Sequence, residues 1–435
     1  MRAVSSTGKA RGWLVLAASA AVLGGFALVG LPSPAPVEPP PPARAPADRA
    51  GLAARLPAPE IAVRELLARR EDAVRSGDEA AFAATVDPEA PPEFQQRQLQ
   101  LFRNLQTVPL SQFGYRLEGA PLAHPPVPAA DEVLASRVVL RYAMSGADSV
   151  PTQRPLGYLF SRRGSSWYLS GDTGVVPDAW RGPWDFGPCE VRRTDRGLVV
   201  GHDPAAVERV AAQLDSAVAD VTEVWGSGWA QRAGVLVPDS QEELRASVGP
   251  ELAVDGIAGV AVADLVDTRT RRVEGARVVL SPRTAEQLSD VALGVVLRHE
   301  ITHVAARAVT ADGAPMWMLE GYPDYIGYRK SGLAPRDIAP DLARTVREVG
   351  PPLRLPTNTE FHQGGRRLDL AYQQSWSVVH YLAQRLGEQR LTELYRRIAA
   401  ATTPDEAETA LYEATGMTSR HLLQAWGAEL PHSLS

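Results

Sequence analysis

The chain has 435 residues, of which 45% are hydrophobic and 22% are charged, a composition typical of a globular protein with two or three domains. The net charge of −6 gives no basic surplus, which argues against a nucleic-acid partner. The single cysteine, Cys189, excludes an internal disulfide and a zinc site built from cysteines.

The N-terminal segment has the pattern of a membrane anchor. Residues 1–11 carry Arg2, Lys9 and Arg11, whereas residues 12–30 are uncharged and largely apolar. At 1.5 Å per residue, a helix over 12–30 would be about 28 Å long, close to the thickness of a bilayer core. We therefore predict a cytoplasmic segment over 1–11, a transmembrane signal anchor over 12–30 and an extracytoplasmic remainder at the cell membrane. A signal peptide cleaved to release a secreted protein is the alternative.

A proline-rich segment follows over residues 31–58. It includes the uninterrupted run Pro39–Pro42. Such runs favour extended polyproline geometry and form no core. We expect a stiff linker that separates the anchor from the folded part.

Residues 59–180 predict helices first and strands afterwards. Apolar residues recur at helical spacing from Ile61 to Arg75, and the last two strand-like runs are joined by a turn at Gly164. This order predicts an α+β domain. The segments ELLARREDAVRSGDEAAFAATVDP and GYLFSRRGSSWYLSGD resemble the opening helices and the final hairpin of NTF2-like domains. The resemblance implies an accessory domain with a ligand pocket, and a structural spacer or substrate-docking module is the alternative.

Residues 184–435 predict a second, mainly helical domain with a small mixed sheet, again of the α+β class. A long helix is indicated over 204–225, and short strands are indicated over 234–237 and 277–280. A further apolar helix surrounds residue 300 and has Ser289 or Asp290 as its N-cap.

That helix carries the clearest motif in the chain. Residues 299–303 read His-Glu-Ile-Thr-His, the HExxH pattern. Residues four apart share one face of a helix, so His299 and His303 can bind the same ion. Imidazole suits zinc, and a catalytic zinc site needs a third protein ligand. Glu300 is positioned to accept a proton from water without being a ligand. The alternative is a buried polar patch, which would be costly without partners.

A second motif, Trp-Met-Leu-Glu-Gly-Tyr-Pro-Asp-Tyr, occupies residues 317–325. Together with HExxH it resembles the gluzincins, the thermolysin-like zinc metallopeptidases, whose second helix carries a glutamate ligand. The resemblance implies a zincin-type fold and one Zn²⁺ per chain, held by His299, His303 and Glu320. It also implies that Glu300 is the general base in the hydrolysis of a peptide bond.

Asp324 lies four residues after Glu320 and faces the same way on a helix. In thermolysin-like gluzincins an acid at this position orients a metal-binding histidine, and the resemblance implies the same for Asp324. A solvated acid is the alternative. Pro323 favours a helix that starts near Leu319, since proline is best tolerated in a first turn.

Two further segments belong to the resemblance. Residues 276–282 stand where these peptidases have an edge strand that pairs with extended substrate. Residues 371–387 resemble the helix that follows the ligand glutamate. Tyr372 at its start is a candidate to stabilise the oxyanion, with His380 as a rival and core packing as the alternative for both.

The sequence as a whole predicts a zinc metallopeptidase, that is, a hydrolase acting on a peptide or protein substrate. The N-terminal helix would attach it to a membrane, and no nucleic acid is expected. The alternative function is an extracytoplasmic protein that binds zinc or another ligand with little or no hydrolytic turnover.

Overall fold

A computed structural model describes residues 58–124, 126–177, 179–249 and 257–435. The protein is 51% helical and 20% strand, which confirms the predicted α+β class. It divides into two compact units. The first comprises the described residues up to Met144 together with Pro151–Pro188, and the second comprises Ser145–Val150 and Cys189–Ser435. The segment Ser145–Val150, which the sequence placed in the first domain, thus groups with the second unit.

The predicted transmembrane helix has no counterpart in the part of the chain that the structure describes. Within the ranges that the structure describes, no helix combines the length and the apolar character needed to cross a bilayer. The predicted cytoplasmic segment 1–11, the predicted anchor 12–30 and nearly all of the linker 31–58 lie outside the described residues.

The first unit is built from helices followed by an antiparallel sheet in which each strand pairs with the next along the chain. Val63 and Leu66 of the first helix pack against the sheet, where they meet Phe160. The bounds are α1 Pro59–Ser76, α2 Glu79–Ala83, α3 Pro92–Thr107, β1 Leu110–Leu122, β2 Glu132–Met144, β3 Thr152–Arg163 and β4 Ser166–Gly171.

The helix α2 ends at Ala83, and the backbone after it joins the sheet. Val86 forms a parallel bridge with Leu169 of β4, and the Leu169 N–H donates to the carbonyl of Thr85 at 2.8 Å. The backbone after Ala83 therefore bonds to the sheet rather than continuing the helix. A tertiary contact of this kind has no signal in local periodicity.

The second unit contains a small mixed sheet in the order β5-β6-β7-β11-β8. The pairs β6–β7 and β7–β11 are parallel, and the two outer pairs are antiparallel. A separate hairpin is formed by β9 and β10. The bounds are β5 Glu190–Thr194, β6 Gly197–Gly201, β7 Ala233–Val237, β8 Gly259–Val262, β9 Leu265–Asp267, β10 Arg272–Glu274 and β11 Arg277–Leu280.

This strand order shows that the predicted edge strand was wrong. Residues 276–282 contain β11, which lies between β7 and β8 and is hydrogen-bonded on both sides. Its residues Val278 and Val279 are accordingly fully buried. The edge nearest to it is β8, whose four residues are too few to give a readable alternation.

The helices of the second unit surround one apolar core, with α4, α7, α8 and α11 packed side by side. Their bounds are α4 Pro204–Trp225, α5 Gln241–Val248, α6 Thr284–Gln287, α7 Asp290–Ala306, α8 Met316–Tyr328, α9 Pro335–Ile338, α10 Pro340–Glu348, α11 Arg366–Leu386, α12 Glu388–Ala399, α13 Pro404–Thr415 and α14 Ser419–Ser433. The bounds of α4 are those that the sequence predicted. Asp203 caps its start and accepts from the Ala206 N–H at 2.7 Å.

Candidate metal centre

The helix α7 positions the HExxH residues. Ser289 rather than Asp290 is its N-cap, accepting from the Ala292 N–H at 3.2 Å. Leu297 and Ile301 are fully buried in the core of the second unit. Because this apolar face fixes the rotation of the helix, the polar side chains are directed together toward α8.

The helix α8 carries the second motif and begins at Met316, earlier than the start near Leu319 that the sequence favoured. Pro323 therefore lies inside the helix, where it removes one backbone donor. Gly321 explains the close approach of α8 to α11: a Cβ there would lie 2.5 Å from the Ser375 carbonyl oxygen. Any larger residue at position 321 would push the two helices apart.

Three side chains converge between α7 and α8. The Nε2 atoms of His299 and His303 are 3.1 Å apart, and Glu320 Oε2 lies 3.4 Å and 3.6 Å from them. Donor atoms on a tetrahedral zinc at about 2.0–2.1 Å stand about 3.3 Å from one another. The spacing of these three atoms therefore fits a single ion between them, and among the described residues they form a group that could hold a metal.

The charges at the centre also fit a cation. Glu300 and Glu320 are both 0% exposed, and Asp324 is buried beside them. Burial opposes the ionisation of Glu320, yet the imidazoles of His303 and His299 lower its pKa to about 2. Neither oxygen of Glu320 has a hydrogen-bond partner within the described part of the chain. A buried carboxylate without hydrogen bonds is costly, and a bound cation removes that cost.

Asp324 holds one of the histidines. Its Oδ1 lies 2.8 Å from Nδ1 of His299, and the contact is buried. An Nδ1–H that donates to this carboxylate leaves the lone pair of Nε2 directed toward His303 and Glu320. Burial acts to lower the pKa of His299, but the charges of Asp324 and Glu320 raise it well above its usual range. Asp324 thus increases the basicity of a candidate ligand and fixes its orientation.

Replacing Asp324 by Asn should weaken zinc binding. The amide keeps the shape of the side chain but loses the charge. It therefore holds the imidazole of His299 less firmly and no longer raises its pKa. We expect the zinc affinity to fall by about 10- to 100-fold, measured by competition with a chromophoric chelator. The exposed Asp405 of α13 provides a control, because D405N should bind zinc like the unaltered chain. Equal affinity of D324N and the unaltered chain would show that the contact has no influence on the metal.

Glu300 and Tyr372 complete the centre. Glu300 follows His299 on α7 and is fully buried, and its negative charge contributes to raising the pKa of both His299 and Tyr372. The Tyr372 ring lies 6.5 Å from the ring of His299 and packs edge-on against Phe361. Burial, followed by the charges of Glu320, Asp324 and Glu300, raises the pKa of Tyr372 well above its usual range. Tyr372 is therefore a neutral phenol that can donate a hydrogen bond at this centre.

His380, the rival to Tyr372, lies elsewhere. Its ring stacks on Trp376 at 5.1 Å, and its Nε2 is 3.1 Å from Nε2 of Gln384. It follows Tyr372 by two turns of α11, or about 12 Å along the helix axis. The structure therefore separates His380 from the candidate ligands.

The edge strand β8 was not predicted from the sequence. A Cβ at Gly259 would lie 3.4 Å from Val296 Cγ1, so the strand passes along α7 one turn before Glu300. The run Gly-Val-Ala-Val is short and has no polar alternation, so periodicity gave no signal for it. Its place beside the centre follows only from the strand order.

Comparison with known proteins adds no family to this description. No family model matches the sequence, and no curated protein is similar enough to it to count as a relative. Conclusions about function therefore depend on the residues and their geometry.

Proposed function

We propose that this chain is a zinc-dependent peptidase that hydrolyses peptide bonds. The observation that carries the proposal is the convergence of His299, His303 and Glu320, whose donor atoms are separated by the distances found between ligands of a tetrahedral zinc ion. The proposal includes a zincin-type arrangement for the second unit and an NTF2-like accessory domain over 59–180. The α7 and α8 pair and the mixed sheet beside it support the former, and helices followed by an antiparallel sheet support the latter.

The residues divide into ligands and a supporting group. His299 and His303 would bind the ion through Nε2, and Glu320 would bind it through a carboxylate oxygen. Asp324 keeps His299 in the required orientation. When bound, zinc acts as a Lewis acid that acidifies water and polarises a carbonyl group. Imidazole and carboxylate donors are the set that zinc takes in catalytic sites.

Glu300 is the general base of the proposal. It follows the ligand His299 by one residue and is fully buried, which keeps its carboxylate at the centre and away from bulk water. It accepts the proton of the attacking water and passes that proton to the amine that leaves. Water adds to the amide carbonyl, the carbon–nitrogen bond then breaks to release the protonated amine, and no covalent bond with the protein forms.

Tyr372 is the proposed hydrogen-bond donor to the substrate. As the amide carbonyl is attacked, negative charge develops on its oxygen, and a buried neutral phenol can donate to that oxygen. Fixed donors of this kind lower the barrier because they need no reorganisation during the reaction.

The substrate would lie along β8. Its backbone groups pair with β11 on one side, and on the other side no strand among the described residues pairs with them, so they can bond to an extended peptide. Because β8 passes Val296, a peptide paired with it would cross the face of α7 that carries Glu300.

Replacing Tyr372 by Phe should lower kcat by about 100-fold while leaving KM within a few-fold. The lost hydroxyl acts on charge that exists only in the transition state, so substrate binding is little affected. Steady-state kinetics on one cleaved peptide measures both constants. The buried Tyr381 is a suitable control, because Y381F removes a phenol hydroxyl from the same helix about 13 Å further along its axis. A fall in kcat of the same size for both variants would assign Tyr372 to packing.

The direct test of the proposed function is cleavage of a peptide library by the full chain loaded with zinc. We expect cleavage that stops when a chelator removes the metal and returns when zinc is restored. Zinc uptake without cleavage of any library member would favour the alternative, a zinc-binding protein with little turnover. Cleavage that a chelator leaves unchanged would contradict the metal-dependent mechanism.

A further inference from the structure

A cleft of about 780 Å³ opens in the second unit at the C-terminal end of α7. Its lining includes Trp225, the last residue of α4, and Trp229 in the segment that follows. Val304 of α7 and Val273 of the β9–β10 hairpin also line it. None of these residues has a role among the predictions from the sequence.

The charged groups around the cleft are mainly cationic. Arg232, Arg271 and Arg396 line it, and no carboxylate partner for any of the three occurs among the described residues. The guanidinium of Arg396 lies over the Trp225 ring at 4.5 Å and donates to the Trp225 carbonyl, which holds it at the cleft wall. Arg232 and Arg271 are exposed. These three charges therefore act on whatever occupies the cleft.

The acid at the cleft does not offset these charges. Asp148 is buried and accepts from Arg277 Nη2 at 2.9 Å and 3.1 Å. Its charge is thus neutralised by a buried guanidinium of β11. Among the described residues, the cations at the cleft thus outnumber the available anions, and such an imbalance in a concave, partly apolar site raises the local concentration of anions.

The cleft continues the face of α7 that carries the general base. Val304 is four residues after Glu300, so the two share one face at a separation of about 6 Å along the axis. Ala308, in the short helical turn that follows α7, also lines the cleft. An extended peptide advances about 3.3 Å per residue, so a chain cleaved beside Glu300 would enter the cleft two to four residues from the cleaved bond.

The edge strand β8 also runs toward the cleft. β8 starts at Gly259, which lies against Val296, and ends at Val262, which pairs with Arg277. Ala276, immediately before Arg277, lines the cleft. A peptide paired with β8 would therefore extend from the metal centre toward the arginines of the cleft.

We propose that this cleft is a substrate subsite that binds acidic residues of the polypeptide, two to four positions from the cleaved bond, through Arg232, Arg271 and Arg396. The proposal rests on the proposed peptidase function and specifies its substrate class. The indole ring of Trp229 packs against the aliphatic parts of the bound segment, and the guanidinium groups select carboxylates.

A binding experiment tests the subsite without catalysis. The probe is a fluorescein-labelled hexaglutamate peptide, and the protein is the full chain with zinc and the substitution Glu300→Gln, which prevents cleavage. Fluorescence anisotropy should show hexaglutamate binding at least about tenfold tighter than hexaglutamine, with an affinity that falls as salt is raised. Removing two exposed guanidinium contacts, each contributing about two- to fivefold, should weaken binding about tenfold in Arg232→Gln/Arg271→Gln.

Two further variants serve as controls for the binding experiment. Arg232→Lys/Arg271→Lys keeps both charges and should recover most of the affinity. Arg193→Gln removes one exposed guanidinium from β5, outside the cleft, and should change binding less than twofold. Equal binding of hexaglutamate and hexaglutamine, or an unchanged affinity in the double Gln variant, would overturn the proposal.

Cleavage then separates the two proposals. A peptide series with Glu, Gln or Lys placed two to four residues from the cleaved bond should show kcat/KM highest for Glu, and only in chains that keep Arg232 and Arg271. Cleavage without this preference would refute the subsite and leave the peptidase standing. Arginine-dependent binding of hexaglutamate with no cleavage of any peptide would support the cleft as an anion site and refute the peptidase function.

Discussion

Replacing His303 by Ala should abolish both zinc binding and hydrolysis. His303 Nε2 lies 3.1 Å from His299 Nε2 and 3.6 Å from Glu320 Oε2, so its loss removes one corner of the three-atom group. Losing a residue that merely orients a ligand weakens metal binding by about 10- to 100-fold, and losing a ligand itself should exceed that. We expect zinc per chain to fall to near zero after dialysis, and kcat/KM to fall to background.

The control for this variant is His421, an exposed histidine in the first turn of α14. H421A should retain one zinc per chain and full activity. Circular dichroism of H303A distinguishes loss of metal from loss of fold, since the apolar core around α7 does not depend on the imidazole. A folded H303A chain that keeps zinc with unaltered affinity would remove His303 from the ligand set.

Replacing Glu300 by Gln should have the opposite combination of effects: zinc retained and hydrolysis lost. Glutamine has the size of glutamate but cannot accept a proton at neutral pH, while the three ligands stay in place. General-base catalysis contributes about 10²- to 10⁴-fold, so kcat should fall by about a thousandfold. Metal analysis and steady-state kinetics on the same preparation give both values.

The exposed Glu286 of α6 is the matched control, because E286Q makes the same chemical change away from the centre. It should leave zinc content and kcat unchanged. Full activity of E300Q would refute the general-base assignment even if the metal site were correct. Loss of zinc in E300Q would instead make Glu300 a ligand.

Local signals in the sequence predicted the elements that carry the centre. The cap at Ser289 and the unbroken apolar run after it indicated α7, and the four-residue spacing placed His299 and His303 together. The contact between Asp324 and His299 was also expected, from a resemblance to known peptidases, and the structure places these two side chains 2.8 Å apart.

Features that depend on tertiary contacts were missed. The strand order that makes β8 an edge and buries β11 is decided by pairing between distant segments. Pro323 lies inside α8 because packing against α11 holds the helix despite the lost hydrogen bond. The cleft at the end of α7 brings together Trp229, Arg271 and Arg396, which are far apart in sequence and carry no shared motif.

X-ray absorption at the zinc edge of the loaded full chain identifies the atoms bound to the ion. We expect one zinc per chain with two imidazole nitrogens and a carboxylate oxygen at about 2.0–2.2 Å, and loss of one imidazole contribution in any zinc that H303A retains. A spectrum without imidazole ligands, or one that is identical in the unaltered chain and H303A, would contradict the proposed ligand set.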